Sequence, residues 1–142
     1  MRQSGFTLLE VLIAILVLSI GLLGLAGLMA SSIRNSHSAY QRTQATWLAY
    51  DMIDRMRVNR ATAIASANNY DIPIATATSG STGLAGTDVT NWKTLLANAL
   101  PAGDGSVDVN TTTRAVTVIV QWNDSRGTLG SSTQQLRVDT QL

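Results

Sequence analysis

An apolar run near the N-terminus constrains this chain more than any other feature. Residues 6–30 contain one charged side chain, Glu10, and Ser19 is the only polar side chain after it. As a helix, about 25 residues extend about 37 Å, enough to cross the roughly 30 Å hydrocarbon core of a bilayer with some tilt. The run therefore predicts a membrane-spanning helix, and Arg2 favours an N-terminus retained in the cytoplasm.

Glu10 is the residue that an ordinary membrane anchor does not explain. A carboxylate at the bilayer centre costs about 2.5–3.5 kcal/mol on insertion scales, and such residues are usually paired and functional. Cleavage between Gly5 and Phe6 would create an α-amine one helical turn, about 6 Å, from Glu10. Glu10 of one subunit could then pair with the Phe6 amine of a neighbour displaced by about one turn. Such a pair would fix the axial register of the two helices.

These residues carry a family resemblance. Residues 4–18, SGFTLLEVLIAILVL, resemble the class III signal of type IV pilins and the related pseudopilins. That signal is a short basic leader ending in Gly, followed by Phe and an apolar run. Counted from this Phe as the first residue of the mature chain, Glu stands at the fifth position. The resemblance implies that residues 1–5 are a leader removed by a prepilin peptidase between Gly5 and Phe6. It also implies that the Phe6 amine is methylated and that Glu10 is the assembly carboxylate.

The second half of the apolar run contains three glycines spaced three residues apart, Gly21, Gly24 and Gly27. Small residues let helices approach closely in a membrane or a bundle. Each glycine also weakens a helix by up to about 1 kcal/mol relative to alanine, which would permit local unwinding in a filament. The alternative is that glycine is simply commoner in membrane helices than in soluble ones.

Beyond residue 30 the apolar pattern narrows to one stripe at helical spacing, formed by Ala45, Leu48, Ala49, Met52, Ile53 and Met56. No proline interrupts residues 6–60. We therefore predict one long helix with a transmembrane half, 6–30, and an amphipathic half, 31–60. Residues 18–28 and 38–60 resemble the minor pilins of the PilV family, the type IV pilus modification proteins.

Residues 61–142 predict a small globular region. Residues 61–87 are rich in Ala, Thr, Ser, Gly and Asn and indicate a long irregular connection. Residues 88–100 have apolar side chains at helical spacing, with Thr87 or Asp88 as the expected cap. Three β-prone runs follow at 106–110, 115–122 and 134–141 and predict an antiparallel meander. The predicted fold is α+β, with one long helix packed on a small antiparallel sheet, as the pilin resemblance also implies.

The sequence offers little for catalysis. There is no cysteine and one histidine, His37, which we interpret as solvated or interfacial. Asp104, Asp108 and Asn110 do not have the spacing of a calcium loop and are better explained as turn residues. The net charge of +1 gives no indication of nucleic-acid binding. We expect a protein that is not an enzyme, with no metal and no cofactor.

The resemblance implies a minor pilin that is inserted in the inner membrane of a Gram-negative bacterium with its globular region in the periplasm. After assembly it would lie in the extracellular pilus, at the tip. The implied partners are other minor pilins and the major pilin through their N-terminal helices, prepilin peptidase, the inner-membrane assembly platform and a large tip adhesin. Many major pilins close a C-terminal loop with a disulfide, so the lack of cysteine argues against a major subunit.

Three alternatives remain open at the level of sequence. The first is a minor pseudopilin of a type II secretion or DNA-uptake system, because the leader is shared by both classes. The second is a periplasmic binding protein or enzyme held by an ordinary signal anchor. The third is a secretory peptide cleaved near the small residues at 30–32, although the apolar core of such peptides has only about 7–15 residues.

Overall fold

A single helix of 51 residues organises the structure. The computed structural model describes residue 5 and residues 7–66, 69–76 and 82–142. Within these ranges lie three helices, α1 (Leu8–Val58), α2 (Arg60–Ala65) and α3 (Gly83–Ala99), followed by three strands, β1 (Asp104–Asn110), β2 (Ala115–Trp122) and β3 (Gln134–Gln141).

Helix α1 runs without a break through both halves predicted from the sequence. Thr7 caps its start, because the Thr7 side chain accepts a hydrogen bond from the Glu10 backbone N–H. Asn59 ends it, and the short helix α2 begins at the next residue. The residues of α1 that are fully buried all belong to the predicted stripe, Ala45, Ala49, Met52, Ile53 and Met56. The amphipathic half therefore packs on the globular region along one face.

The three strands form an antiparallel sheet in the order β1-β2-β3. Val118 at the centre of β2 pairs with Val107 on one side and Val138 on the other. Burial alternates along β2, as expected for a sheet with one face on the core and the other towards solvent. The predicted fold, a long helix on a small antiparallel sheet, is confirmed. Strands β2 and β3 have the predicted bounds, whereas β1 begins two residues earlier than predicted, at Asp104.

The core lies between α1, α3 and the inner face of the sheet. Its largest side chains are Trp92 and Trp122, both almost fully buried. The indole N–H of Trp92 donates a hydrogen bond to the backbone oxygen of Leu48 at 2.8 Å, which ties α3 to α1. Gly105 allows this packing, because a Cβ atom there would lie 2.6 Å from the Trp92 ring. Trp92 and Trp122 are thus the largest side chains of a core that is otherwise built mainly from small aliphatic residues.

Two predictions in the region before the sheet are wrong. Helix α3 begins at Gly83 with Thr82 as its cap, not at Asp88 with Thr87 or Asp88 as cap. The reason is that Asp88 is mostly buried inside the helix and accepts a hydrogen bond from the Tyr70 hydroxyl at 2.9 Å. The connection 61–87 is also less irregular than predicted, since α2 extends to Ala65. Residues 67–68 and 77–81 of this connection lie outside the described residues.

Candidate functional site

The apolar half of α1 has no partner inside its own chain. Every described side chain from residue 7 to residue 30 is exposed. The most apolar window of 18 residues has a mean hydropathy of 2.8, and none of it is buried. By length and composition this is a helix that can cross a membrane. Exposed apolar surface on this scale marks a membrane or assembly surface rather than a folded monomer's exterior.

Glu10 lies in the first turn of α1, three residues after the Thr7 cap. The Glu10 N–H is held by both the side chain and the backbone oxygen of Thr7, at 3.3 and 3.1 Å. A carboxylate in the first turn is stabilised by the helix dipole. The side chain is exposed and forms no ion pair within the described residues. No described residue of the subunit therefore neutralises its negative charge.

The predicted cleavage site is only partly visible. Gly5 is described and exposed, whereas Phe6 lies outside the described residues, as do residues 1–4 of the predicted leader. Cleavage after Gly5 and methylation of Phe6 remain predictions from the sequence.

The three predicted packing glycines, Gly21, Gly24 and Gly27, lie in unbroken helix. A Cβ atom at each of them would meet no atom of the chain within 4 Å. The fold of the single subunit therefore does not require glycine at any of these positions. Close packing of these glycines against other subunits remains a prediction from the sequence.

An exposed aromatic stripe continues the apolar surface along the second half of α1. At about 100° per residue, this stripe lies opposite the buried stripe, and its members are Tyr40, Trp47 and Tyr50, each at least half exposed. These three residues are not among the site residues predicted from the sequence. The sequence nevertheless contains a signal for this stripe, because large aromatic side chains are unusual on the polar face of an amphipathic helix.

A polar network fastens the end of α1 to α3. The Tyr70 hydroxyl donates to Asp88 and accepts from the Asn59 side-chain amide, both at 2.9 Å. Arg55 bonds Asp51 at 2.9 Å and lies 3.5 Å from Asp88. Burial, with Asp88 adding to it and the Asn59 hydrogen bond opposing it, raises the pKa of Tyr70 to about 12. For Arg55, burial opposes the charge, but the bond to Asp51 and the two nearby carboxylates outweigh it and raise the pKa.

A partly buried ion pair holds the start of the sheet. The Lys93 ammonium donates to Asp104 at 2.5 Å and to the backbone oxygen of Pro73 at 3.2 Å. Asp104 also accepts hydrogen bonds from the backbone N–H groups of Ala75 and Gly105. Burial acts to raise the pKa of Asp104, but the Lys93 bond and the two N–H donors outweigh it, and the pKa is lowered. This carboxylate is a structural anchor.

The loop between β2 and β3 is fixed against the middle of α1. The Ser38 hydroxyl donates to the Asp124 carboxylate at 2.5 Å, and the Thr128 hydroxyl donates to the Asn35 side-chain oxygen at 2.6 Å. Gly130 makes this loop possible, since a Cβ atom there would overlap the backbone oxygen of Asp124. The loop therefore sits directly beyond the apolar half of the helix.

The described residues include no cluster with the composition of a metal centre. They contain no group of three or more His, Cys, Asp or Glu side chains that could hold a metal ion. His37 is exposed on α1, and Asp104 is occupied by Lys93.

Comparison with known proteins identifies the N-terminal segment. Residues 1–26 match the family model described as the prokaryotic N-terminal methylation motif. Searches of the curated proteins and of the solved structures each found no match. The motif implies processing by prepilin peptidase and assembly with other pilins, and the apolar helix suggests anchoring in a membrane before that assembly. The methylation motif and a long N-terminal helix packed on a small sheet together fit a type IV pilin-like protein.

Proposed function

We propose that this protein is a minor pilin of the type IV pilus, of the PilV kind, and a structural subunit rather than an enzyme. The observation that carries the proposal is the exposed apolar half of α1, inside a methylation motif, with one carboxylate in its first turn that has no ion-pair partner among the described residues. A lipid bilayer covers this surface before assembly, and the N-terminal helices of other pilins cover it afterwards. The globular region lies in the periplasm first and at the pilus tip later, where it selects its neighbours.

Glu10 is the register-setting group in this proposal. After cleavage between Gly5 and Phe6, the methylated amine of Phe6 carries a positive charge that a neighbour's Glu10 can neutralise. In a low-dielectric bundle an unpaired carboxylate is strongly disfavoured, so only axial positions that bring Glu10 to an amine are stable. The exposed aromatic stripe supplies further contact area for neighbouring subunits as assembly proceeds.

The proposal is tested on sheared surface filaments and on the inner-membrane fraction by mass spectrometry of the N-terminal peptide. We expect a chain that begins at N-methylated Phe6 in both fractions. A methylated chain confined to the membrane, with secretion or DNA uptake lost on gene deletion and piliation intact, would identify a pseudopilin instead. A chain that still begins near Met1 would overturn the pilin proposal altogether.

The role of Glu10 is tested with Glu10→Gln, matched by Asp54→Asn on the exposed face of the amphipathic half. Both variants remove one carboxylate, but only the first removes the proposed register group. We expect Glu10→Gln to insert and to be cleaved normally, yet to fall at least tenfold in sheared filaments, whereas Asp54→Asn keeps the wild-type amount. Equal recovery of the two variants would refute the role assigned to Glu10.

A further inference from the structure

A groove at the junction of α1 and the β2–β3 loop has features of a ligand site. It encloses about 760 Å³ and is lined on one side by Arg34, His37 and Gln41 of α1. The other side is formed by residues 123–127, with Asp124 and Arg126 among them. None of these residues belongs to the assembly surface described above.

The groove combines free cations with an unsatisfied acceptor. Arg34 and Arg126 are exposed and form no ion pair with any part of the chain that the structure describes. The side-chain oxygen of Gln41 is buried there without a hydrogen-bond partner among the described residues. The groove also contains one carboxylate, Asp124, which accepts a hydrogen bond from the Ser38 hydroxyl. A ligand that carries both an anionic group and a hydroxyl donor would satisfy the two guanidinium groups and the Gln41 oxygen together.

The height of the groove along α1 indicates where such a ligand would come from. Residues 8–30 extend about 33 Å at 1.5 Å per residue, which fills the hydrocarbon core. Arg34 then lies about 6 Å beyond that core, inside the headgroup layer, since this layer adds about 5–7 Å on each side. The bond between Asn35 and Thr128 brings the loop that carries Arg126 to the same height. Basic side chains at this depth attract anionic lipids by about 1 kcal/mol each, or about fivefold.

We infer that this groove, Arg34, His37, Gln41 and Arg126, binds the headgroup of an anionic phosphoglycerol lipid in the leaflet facing the globular region. The phosphate lies between the two guanidinium groups, and a headgroup hydroxyl donates to the Gln41 oxygen. The contact holds the globular region against the membrane until the helix leaves the bilayer. The inference rests on the membrane span of the proposed function, but it does not depend on the pilus assignment.

The full chain can be tested directly in vesicles, because it has no cysteine of its own. Leu129 at the loop tip is 98% exposed, so a fluorophore on Leu129→Cys reports the height of the loop without filling the groove. The labelled protein is inserted into phosphatidylcholine vesicles and into mixed phosphatidylcholine–phosphatidylglycerol vesicles. Both carry the same small amount of lipid with a nitroxide quencher on its headgroup.

We expect stronger quenching in the mixed vesicles, and a loss of that difference when the salt is raised from about 0.15 M to about 1 M, where the screening length falls from about 8 to about 3 Å. Arg34→Gln combined with Arg126→Gln lowers the docking equilibrium constant by roughly 30-fold. The matched control, Arg57→Gln with Arg114→Gln, removes the same charge far from the groove and keeps the wild-type quenching. Both pairs lie at exposed positions, and thermal unfolding checks that each variant is folded.

Insertion of every variant is verified by resistance to alkaline carbonate extraction. Two results would overturn the headgroup site and leave the pilin proposal standing. One is an inserted wild-type chain that is quenched equally in both kinds of vesicle, and the other is equal quenching of the two inserted double variants in the mixed vesicles. A chain that fails to insert overturns both the site and the membrane span on which it rests. A pseudopilin result in the filament experiment leaves the headgroup site standing.

Discussion

Replacing Tyr70 with phenylalanine tests the network that fastens the globular region to the long helix. The change removes one hydroxyl from a buried ring and leaves the apolar packing in place. Asp88 loses the hydroxyl that donates a hydrogen bond to it, and the Asn59 amide loses the hydroxyl oxygen that accepts its hydrogen bond. Both of these bonds are 2.9 Å long. A hydrogen bond to a charged group contributes about 1.5–3 kcal/mol, so we expect Tyr70→Phe to lose about 2 kcal/mol of stability near pH 7.

The pH dependence makes the prediction specific to this hydroxyl. The pKa of Tyr70 is about 12 in the folded protein, against an ordinary value of 10.0. Because the folded state holds the proton more tightly, the corresponding stabilisation is fully present below pH 10 and is lost as the pH rises towards 12. At 1.36 kcal/mol per pH unit this loss amounts to roughly 2–3 kcal/mol. The phenylalanine variant has no such group, so the stability difference between the two proteins shrinks over this interval.

The assay is urea unfolding of the full chain in detergent micelles, followed by tryptophan fluorescence at a series of pH values. Trp92 and Trp122 lie in the core and report its opening. The control is Tyr50→Phe, because Tyr50 is half exposed on α1. We expect it to leave stability unchanged within about 0.5 kcal/mol. A difference between wild type and Tyr70→Phe that stays constant from pH 10 to about 12 would refute the burial and bonding assigned to the Tyr70 hydroxyl.

Two further predictions concern the sheet anchor and the apolar helix. Asp104→Asn leaves the buried Lys93 ammonium without its counter-ion, and we expect a loss of up to about 3 kcal/mol, moderated because Asp104 is partly exposed. The pKa of Asp104 is lowered in the folded protein, so the ionised carboxylate stabilises the fold at pH values above its unfolded pKa near 3.9, and this stabilisation disappears on further acidification. Acid unfolding should therefore be steeper in wild type than in the variant. Parallel acid transitions of the two proteins would contradict this. Leucine at all three helix glycines, Gly21, Gly24 and Gly27, should leave the subunit folded but block its recovery in filaments. Leucine at Ala26, a neighbouring position, is the control, and normal filament levels for the triple variant would show that close packing at the glycines is not needed.

The long helix and the sheet could be predicted because their signals are local. The apolar run and the stripe around Met52 predicted the helix, and the two β-prone runs predicted β2 and β3 at the bounds observed. The start of α3 could not be predicted in the same way. Asp88 has the chemistry of a cap, but a partner 18 residues earlier, Tyr70, stabilises it inside the helix instead. The cap position was therefore decided by tertiary contact rather than by local propensity.

The groove beside α1 could not be predicted from local sequence patterns either, because it also depends on tertiary contacts. Its cations come from two segments that the Ser38–Asp124 bond brings together across 86 residues. A meander places the start of β1, the end of β2 and the start of β3 at one end of the sheet. The bond between Asn35 and Thr128 shows that this end lies next to the apolar half of α1. In the proposed membrane orientation, the β1–β2 turn is therefore the end of the sheet farther from the membrane. Residues at that turn would stay free to contact partners while the opposite end docks on the lipid surface as inferred above.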